Sequence, residues 1–74
     1  MKWRVLLFAH LKERLGSAIE VEAEPNVASI LSALSAAGVR VEACRLAADD
    51  EFLRSEDAVS AGQELALIPP VSGG

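Results

Sequence analysis

Cysteine and histidine are almost missing from this sequence, with one of each, Cys44 and His10, in 74 residues. A lone thiol excludes an intrachain disulfide. One cysteine and one histidine cannot build a structural zinc site, and no other residues supply a metal cluster. Ser/His/Asp machinery and a Gly-rich phosphate-binding loop are also lacking. His10 reads as a surface or rim side chain, and Cys44 as a small buried hydrophobe. Asp49-Asp50-Glu51 reads as a solvated turn, and Trp3 as a packing residue.

Positive charge is scarce too. Seven Lys and Arg face eleven Asp and Glu, giving a net charge of −4. Phosphate backbones need clustered cations. Here Lys2, Arg4, Lys12, Arg14, Arg40, Arg45 and Arg54 are scattered among the acids, which argues against nucleic acid and for a partner with a basic docking face. Long apolar runs are missing as well. Spanning a bilayer takes about 20 apolar residues, and Val5 to Ala9 is too short even for a secretory leader. The expectation is therefore a cytoplasmic protein without membrane partners, in which Cys44 stays reduced.

What is abundant is apolar character, at 51% of residues. A domain this small buries a modest share of its surface, so the excess both builds a core and leaves apolar surface for a partner. The length predicts one domain over residues 1–70, followed by a tail over 71–74.

Trp3 to Ala9 predicts a strand with both pleat faces apolar, hence either central or shared with another protein. His10 to Leu15 predicts a short helical turn with Leu11 and Leu15 on one side, stopped at Gly16-Ser17. Ala18 to Glu24 alternates, with Ile19, Val21 and Ala23 inward and three glutamates outward, as in an edge strand. Asn26 is an N-cap. Val27, Ile30, Leu31 and Leu34 form one helical stripe, and Gly38 ends it. A poorly patterned link leads to a strand over Ala43 to Ala48, with Cys44 and Leu46 on one side. A turn at Asp49-Asp50-Glu51 and a brief return at Phe52-Leu53 follow. Arg54 to Ala61 reads as loop, and Glu64 to Ile68 as a last strand, again apolar on both faces. The economical packing is α+β: a mixed sheet of four to five strands with one main helix on one face. With the first and last strands as central neighbours, Leu6 and Phe8 share a face, as do Ala66 and Ile68, and Phe52 can join them.

Beyond Ile68 the chain reads Pro69-Pro70-Val71-Ser72-Gly73-Gly74. The prolines favour extended backbone. The six residues after Ile68 reach at most about 20 Å, enough to enter a cleft in another protein. Glycine, lacking Cβ, suits a narrow channel and leaves a terminal carboxylate open.

The opening Val5-Leu6-Leu7-Phe8-Ala9, then Leu11-Lys12-Glu13 with Gly16, and the closing run from Gly62 to Gly74 together resemble the small subunit of molybdopterin synthase, a β-grasp, ubiquitin-like sulfur carrier. The resemblance spans the chain. Its most specific part is Pro-Pro-Val-Ser-Gly-Gly. The family usually has Asp-Gly-Asp-Glu where this chain has Ala61-Gly62-Gln63-Glu64, and Asn where it has Asp49. The resemblance implies that the Gly74 carboxylate is adenylated by a ubiquitin-activating-enzyme-like adenylyltransferase that uses ATP. Sulfur from a donor then replaces the adenylate, giving a thiocarboxylate. It further implies that the loaded tail enters the large subunit, which holds the catalytic groups, and that sulfur passes to cyclic pyranopterin monophosphate in a heterotetramer. This chain is then a carrier and not itself an enzyme, with no cofactor of its own. Positions matching Phe8, Phe52 and Ile68 pack on the large subunit in that family, and Lys12 matches a basic contact. The alternatives are a carrier for thiamine, cysteine or tRNA thiolation, a ubiquitin-like modifier joined to lysines, and an interaction domain with an inert tail.

This reading predicts that Gly73→Val blocks sulfur transfer far more than Ser72→Ala. A β-branched neighbour crowds the terminal carbonyl and excludes positive φ, whereas losing the Ser72 hydroxyl removes at most one hydrogen bond, roughly 0.5–1.5 kcal/mol. Single-turnover transfer from variants preloaded as thiocarboxylates checks it; a wild-type rate for Gly73→Val would exclude a narrow channel.

Overall fold

A computed structural model describes residues 1–70 of the chain. Its elements are β1 (Lys2–Leu7), α1 (Ala9–Leu15), β2 (Ala18–Glu22), α2 (Val27–Ala36), β3 (Arg45–Ala48), β4 (Glu51–Phe52) and β5 (Leu65–Ile68). The strands form one sheet in the order β2-β1-β5-β3-β4. The two strands with apolar residues on both faces, β1 and β5, are neighbours near its centre. They run parallel, with Val5, Leu6 and Leu7 opposite Leu65, Ala66 and Leu67. All other pairings are antiparallel. The glutamate-bearing β2 lies at one edge and the two-residue β4 at the other, which leaves little edge for foreign pairing.

Strand alternation sorts the side chains. On one face Trp3, Val5, Leu7, Leu46, Leu65 and Leu67 are buried. They meet Val27, Ile30 and Leu34 of α2, with Leu11 of α1 in the same core. Trp3 is a packing residue whose indole Nε1–H donates to the Ala23 carbonyl at 3.0 Å, satisfying its one polar atom.

Local chemistry explains the bounds of α2. The Asn26 side chain accepts the Ser29 N–H at 2.8 Å, relieving one of the unpaired donors of the first turn. At the other end Gly38 adopts φ +96°. The Gly38 N–H donates to Ser35 and the Val39 N–H to Leu34, the pair of bonds of a Schellman stop, which needs a left-handed residue. The link after Gly38 is better packed than its pattern indicates: Val39 is buried, as is Val59 in the polar loop before β5. Backbone bonds hold that loop against the start of α2, from the Val27 N–H to Asp57 and from the Val59 N–H to Pro25.

Three local readings need correction. The first strand stops at Leu7, not Ala9: the Leu7 N–H donates to Ser17 and Ala9 has φ +53°, outside the extended region. Phe8 is thus the cap residue of α1, though still extended. Leu15 does not share the burial of Leu11; it is the last residue of α1 and is exposed. Cys44 precedes β3 and is only partly buried. The β3–β4 turn itself is tight. Asp49 and Asp50 both have positive φ, as a two-residue hairpin turn requires, and aspartate tolerates that region better than most residues.

Asn26→Ala should cost about 1 kcal/mol through the lost cap, and Leu34→Ala about 2–5 kcal/mol through the cavity it leaves. Urea unfolding checks both. Equal midpoints for the two variants would mean that the α2–sheet contact is not the main core.

Candidate functional site

Among the described residues, no element of the chain lies on the face of the sheet opposite α2. Leu6 on β1, Ala66 and Ile68 on β5, and Ala47 on β3 point to that side, and Phe8 follows β1 beyond its last paired residue. With Phe52 they line an open depression of about 280 Å³. Alanine at the two central positions makes it concave. Phe8 and Phe52 stand as walls and are 43% and 54% exposed, a heavy exposure for large aromatic rings. Scattered apolar surface is ordinary; here the exposed apolar side chains line one depression together.

The depression is not uniformly apolar. Asp50 and Glu64 also line it, and the neighbouring Asp49 ties them to one end. Asp49 accepts the Glu64 N–H at 3.3 Å and the Gln63 side-chain amide at 3.3 Å, while its own N–H donates to the Glu64 carbonyl. The Asp49 carboxylate and the Gln63 amide thus bond to each other. Arg45 lies over the Phe52 ring at 4.2 Å from the centroid, a cation–π contact that fixes one face of that ring.

Of the residues singled out from sequence, Phe8, Phe52 and Ile68 thus lie around one hollow. Lys12 does not line it; it is exposed in the last turn of α1. Pro69 and Pro70 follow β5 directly. Pro70 borders a separate open cleft lined by His10, Arg40, Glu42 and Cys44. Val71, Ser72, Gly73 and Gly74 lie outside the described residues. Ala47 and Glu64 in the lining, and Arg45 over Phe52, carry no such mark in the sequence, and Asp50 is marked only as part of a solvated turn. With Cys44 and Leu46 on one side of the strand, alternation puts Arg45 and Ala47 on the other, but nothing local joins them to Phe8.

Among the described residues no group of three or more His, Cys, Asp and Glu could hold a metal ion, and no helix is long and apolar enough to cross a membrane. The Cys44 thiol is pushed above its ordinary value by burial and then by the nearby Glu42 carboxylate. It also donates to the Arg40 carbonyl at 3.4 Å. A thiol held protonated is a poor nucleophile. Iodoacetamide should therefore alkylate Cys44 more slowly than a free thiol near pH 8, and Glu42→Gln should speed it; faster-than-free alkylation would contradict this environment.

Comparison with known proteins agrees with this architecture. Residues 5–74 match the ThiS family. Small archaeal modifier protein 1 of Haloferax volcanii is 37% identical over the full length of both chains. Two crystal structures of that protein superpose with TM-scores of 0.74 and 0.71, at 31% and 29% identity; the first covers 100% of both chains, and the second 95% of this chain and 98% of the other. A complex of subunits 1 and 2 of molybdopterin-converting factor from Helicobacter pylori contains a chain of the same fold, with a TM-score of 0.72 at 23% identity over all of both chains. The β-grasp sheet, the helix across one face and the match from Val5 to the last residue place this chain in the ThiS family, as a ubiquitin-like sulfur carrier.

Proposed function

We propose that this chain is the small subunit of molybdopterin synthase, carrying sulfur as a thiocarboxylate on Gly74. The observation that carries the reading is continuity: β5 supplies Ala66 and Ile68 to the apolar face opposite α2 and runs straight into Pro69-Pro70. A protein seated on that face receives the tail within about 20 Å of Ile68. The fold is also one that occurs in the molybdopterin-converting factor complex.

The chemistry follows from the tail. A carboxylate is a poor acyl donor, and its mixed anhydride with AMP is a good one. An adenylyltransferase uses ATP to make that anhydride and releases pyrophosphate. A sulfur donor displaces AMP, leaving a terminal thiocarboxylate, a sulfur nucleophile at neutral pH. The large subunit supplies the groups that pass this sulfur to cyclic pyranopterin monophosphate. This chain contributes the carrier, the docking face and the narrow glycine end. Phe8, Phe52 and Ile68 form the docking face, and Lys12, exposed on α1 away from the hollow, adds a separate basic contact.

A second reading is favoured by one observation. The full-length relative at 37% identity is named a modifier protein, and a modifier would join Gly74 to lysines of other proteins. Both readings need the adenylated glycine and part at the acceptor.

Deleting Gly74 should abolish thiocarboxylate formation, read as a sulfur-for-oxygen exchange in intact mass, while leaving the thermal melt unchanged. Retained loading would sink the tail chemistry. Phe8→Asp should break binding to the large subunit without unfolding the monomer, since a carboxylate buried in an apolar contact without a partner is costly. Failure of that variant to fold would assign Phe8 to the core. Recovery of lysine-linked conjugates with no pterin sulfuration would decide for the modifier reading.

A further inference from the structure

The hollow between Phe8 and Phe52 combines two chemistries. Its floor is alanine, Ala47 and Ala66, and its rim carries the carboxylates of Asp50 and Glu64. Among the described residues neither carboxylate forms an ion pair. The Asp49 bonds to Gln63 and Glu64 hold the hairpin turn against the start of β5, so the two acids stay at the same end of the hollow. A purely aliphatic anchor would seal both carboxylates away from water with nothing to pair them, and that is expensive. A small polar anchor would leave the aromatic walls and alanine floor unfilled.

We propose that this hollow is the socket for an arginine side chain presented by the docking partner, its methylene stem on Ala47 and Ala66 between the two rings and its guanidinium at Asp50 and Glu64. The proposal rests on the reading above that this face docks a protein. Arginine meets every feature at once. Its planar guanidinium stacks on aromatic rings, is more weakly hydrated than an ammonium, and offers five donors to carboxylates. Phe52 already accepts one guanidinium, that of Arg45. A volume of about 280 Å³ accommodates one long side chain rather than a helix or strand. The net charge of −4 favours approach of a basic partner face.

The test has two arms, both on the full chain. In the first, the isotope-labelled protein is titrated with N-acetyl-arginine methylamide and with its uncharged citrulline counterpart. The expected result is saturable shifts at the amides of Ala47, Asp50, Phe52 and Ala66 with arginine only, lost in the double variant Asp50→Asn/Glu64→Gln. Asparagine tolerates the positive φ at position 50, and glutamine leaves the Glu64 backbone bond to Asp49 in place, so the variant should fold; its thermal melt checks this. Equal shifts with citrulline, or none with arginine, overturn the proposal. In the second arm, binding to the large subunit of molybdopterin synthase is measured at low and high salt. The double variant should lose about tenfold or more in affinity and most of the salt dependence. Wild-type affinity in the double variant overturns the socket while the functional reading stands. Arginine-specific shifts with no binding of the wild-type chain to the large subunit sustain the socket and remove the functional reading.

Discussion

The parallel pairing of β1 with β5 is the constraint on which the rest depends. Parallel neighbours cannot be joined by a tight turn and need a long crossover. Here nearly the whole remaining chain forms that crossover, carrying α2 across one face and returning through the β3–β4 hairpin. One helix covers one face. The strands at the centre are apolar on both, so the same backbone presents a core on one side and an open hollow on the other. Val5 and Leu65 are fully buried, while Leu6 and Ala66, one residue along, line the hollow.

This division separates stability from recognition. The stabilising burial lies between the inner residues of the sheet and Val27, Ile30 and Leu34, where a fully buried aliphatic side chain contributes about 1.5–3 kcal/mol. The Arg54–Glu56 pair adds little: both side chains sit largely in solvent, where such pairs contribute about 0–1 kcal/mol. The outer face is free to specialise, with aromatic walls, an alanine floor and an acidic rim. Its position is set by β5, the strand that leads into the tail. The proposed docking and delivery steps therefore share one rigid element, which suits a carrier whose cargo must reach a defined place.

Much of this was legible in the sequence because it is local. Asn26, the stripe at Val27, Ile30 and Leu34, and Gly38 delimit a helix through interactions within four residues of one another. Alternation in β2 separates Val21 from Glu20 and Glu22. The double-sided apolar character of β1 and β5 is what central neighbours would show, and the sheet order makes them so. Less legible was the strand end at Leu7: the apolar run continues to Ala9, and only the bond from Leu7 to Ser17 and the left-handed Ala9 turn the chain away. Val39 and Val59 are single apolar residues in polar or unpatterned segments, without a period to mark them, and they become buried where those segments fold back on α2.

The sequence by itself determined the elements, the apolar excess and a terminal segment whose residue types resemble those of sulfur carriers, because each rests on composition or on spacing along the chain. Only the tertiary structure decided which residues meet across the sheet. The antiparallel register of β3 with β5 sets Ala47 beside Ala66, and that of β3 with β4 sets Phe52 beside Ala47. The side-chain bonds of Asp49 bring Glu64 to the hairpin that carries Asp50. A one-residue shift of either register would send those side chains to the opposite face. The β3–β4 register follows from the two-residue turn at Asp49-Asp50, but that of β3 with β5 is settled between segments that no tight turn joins, and no local pattern encodes it.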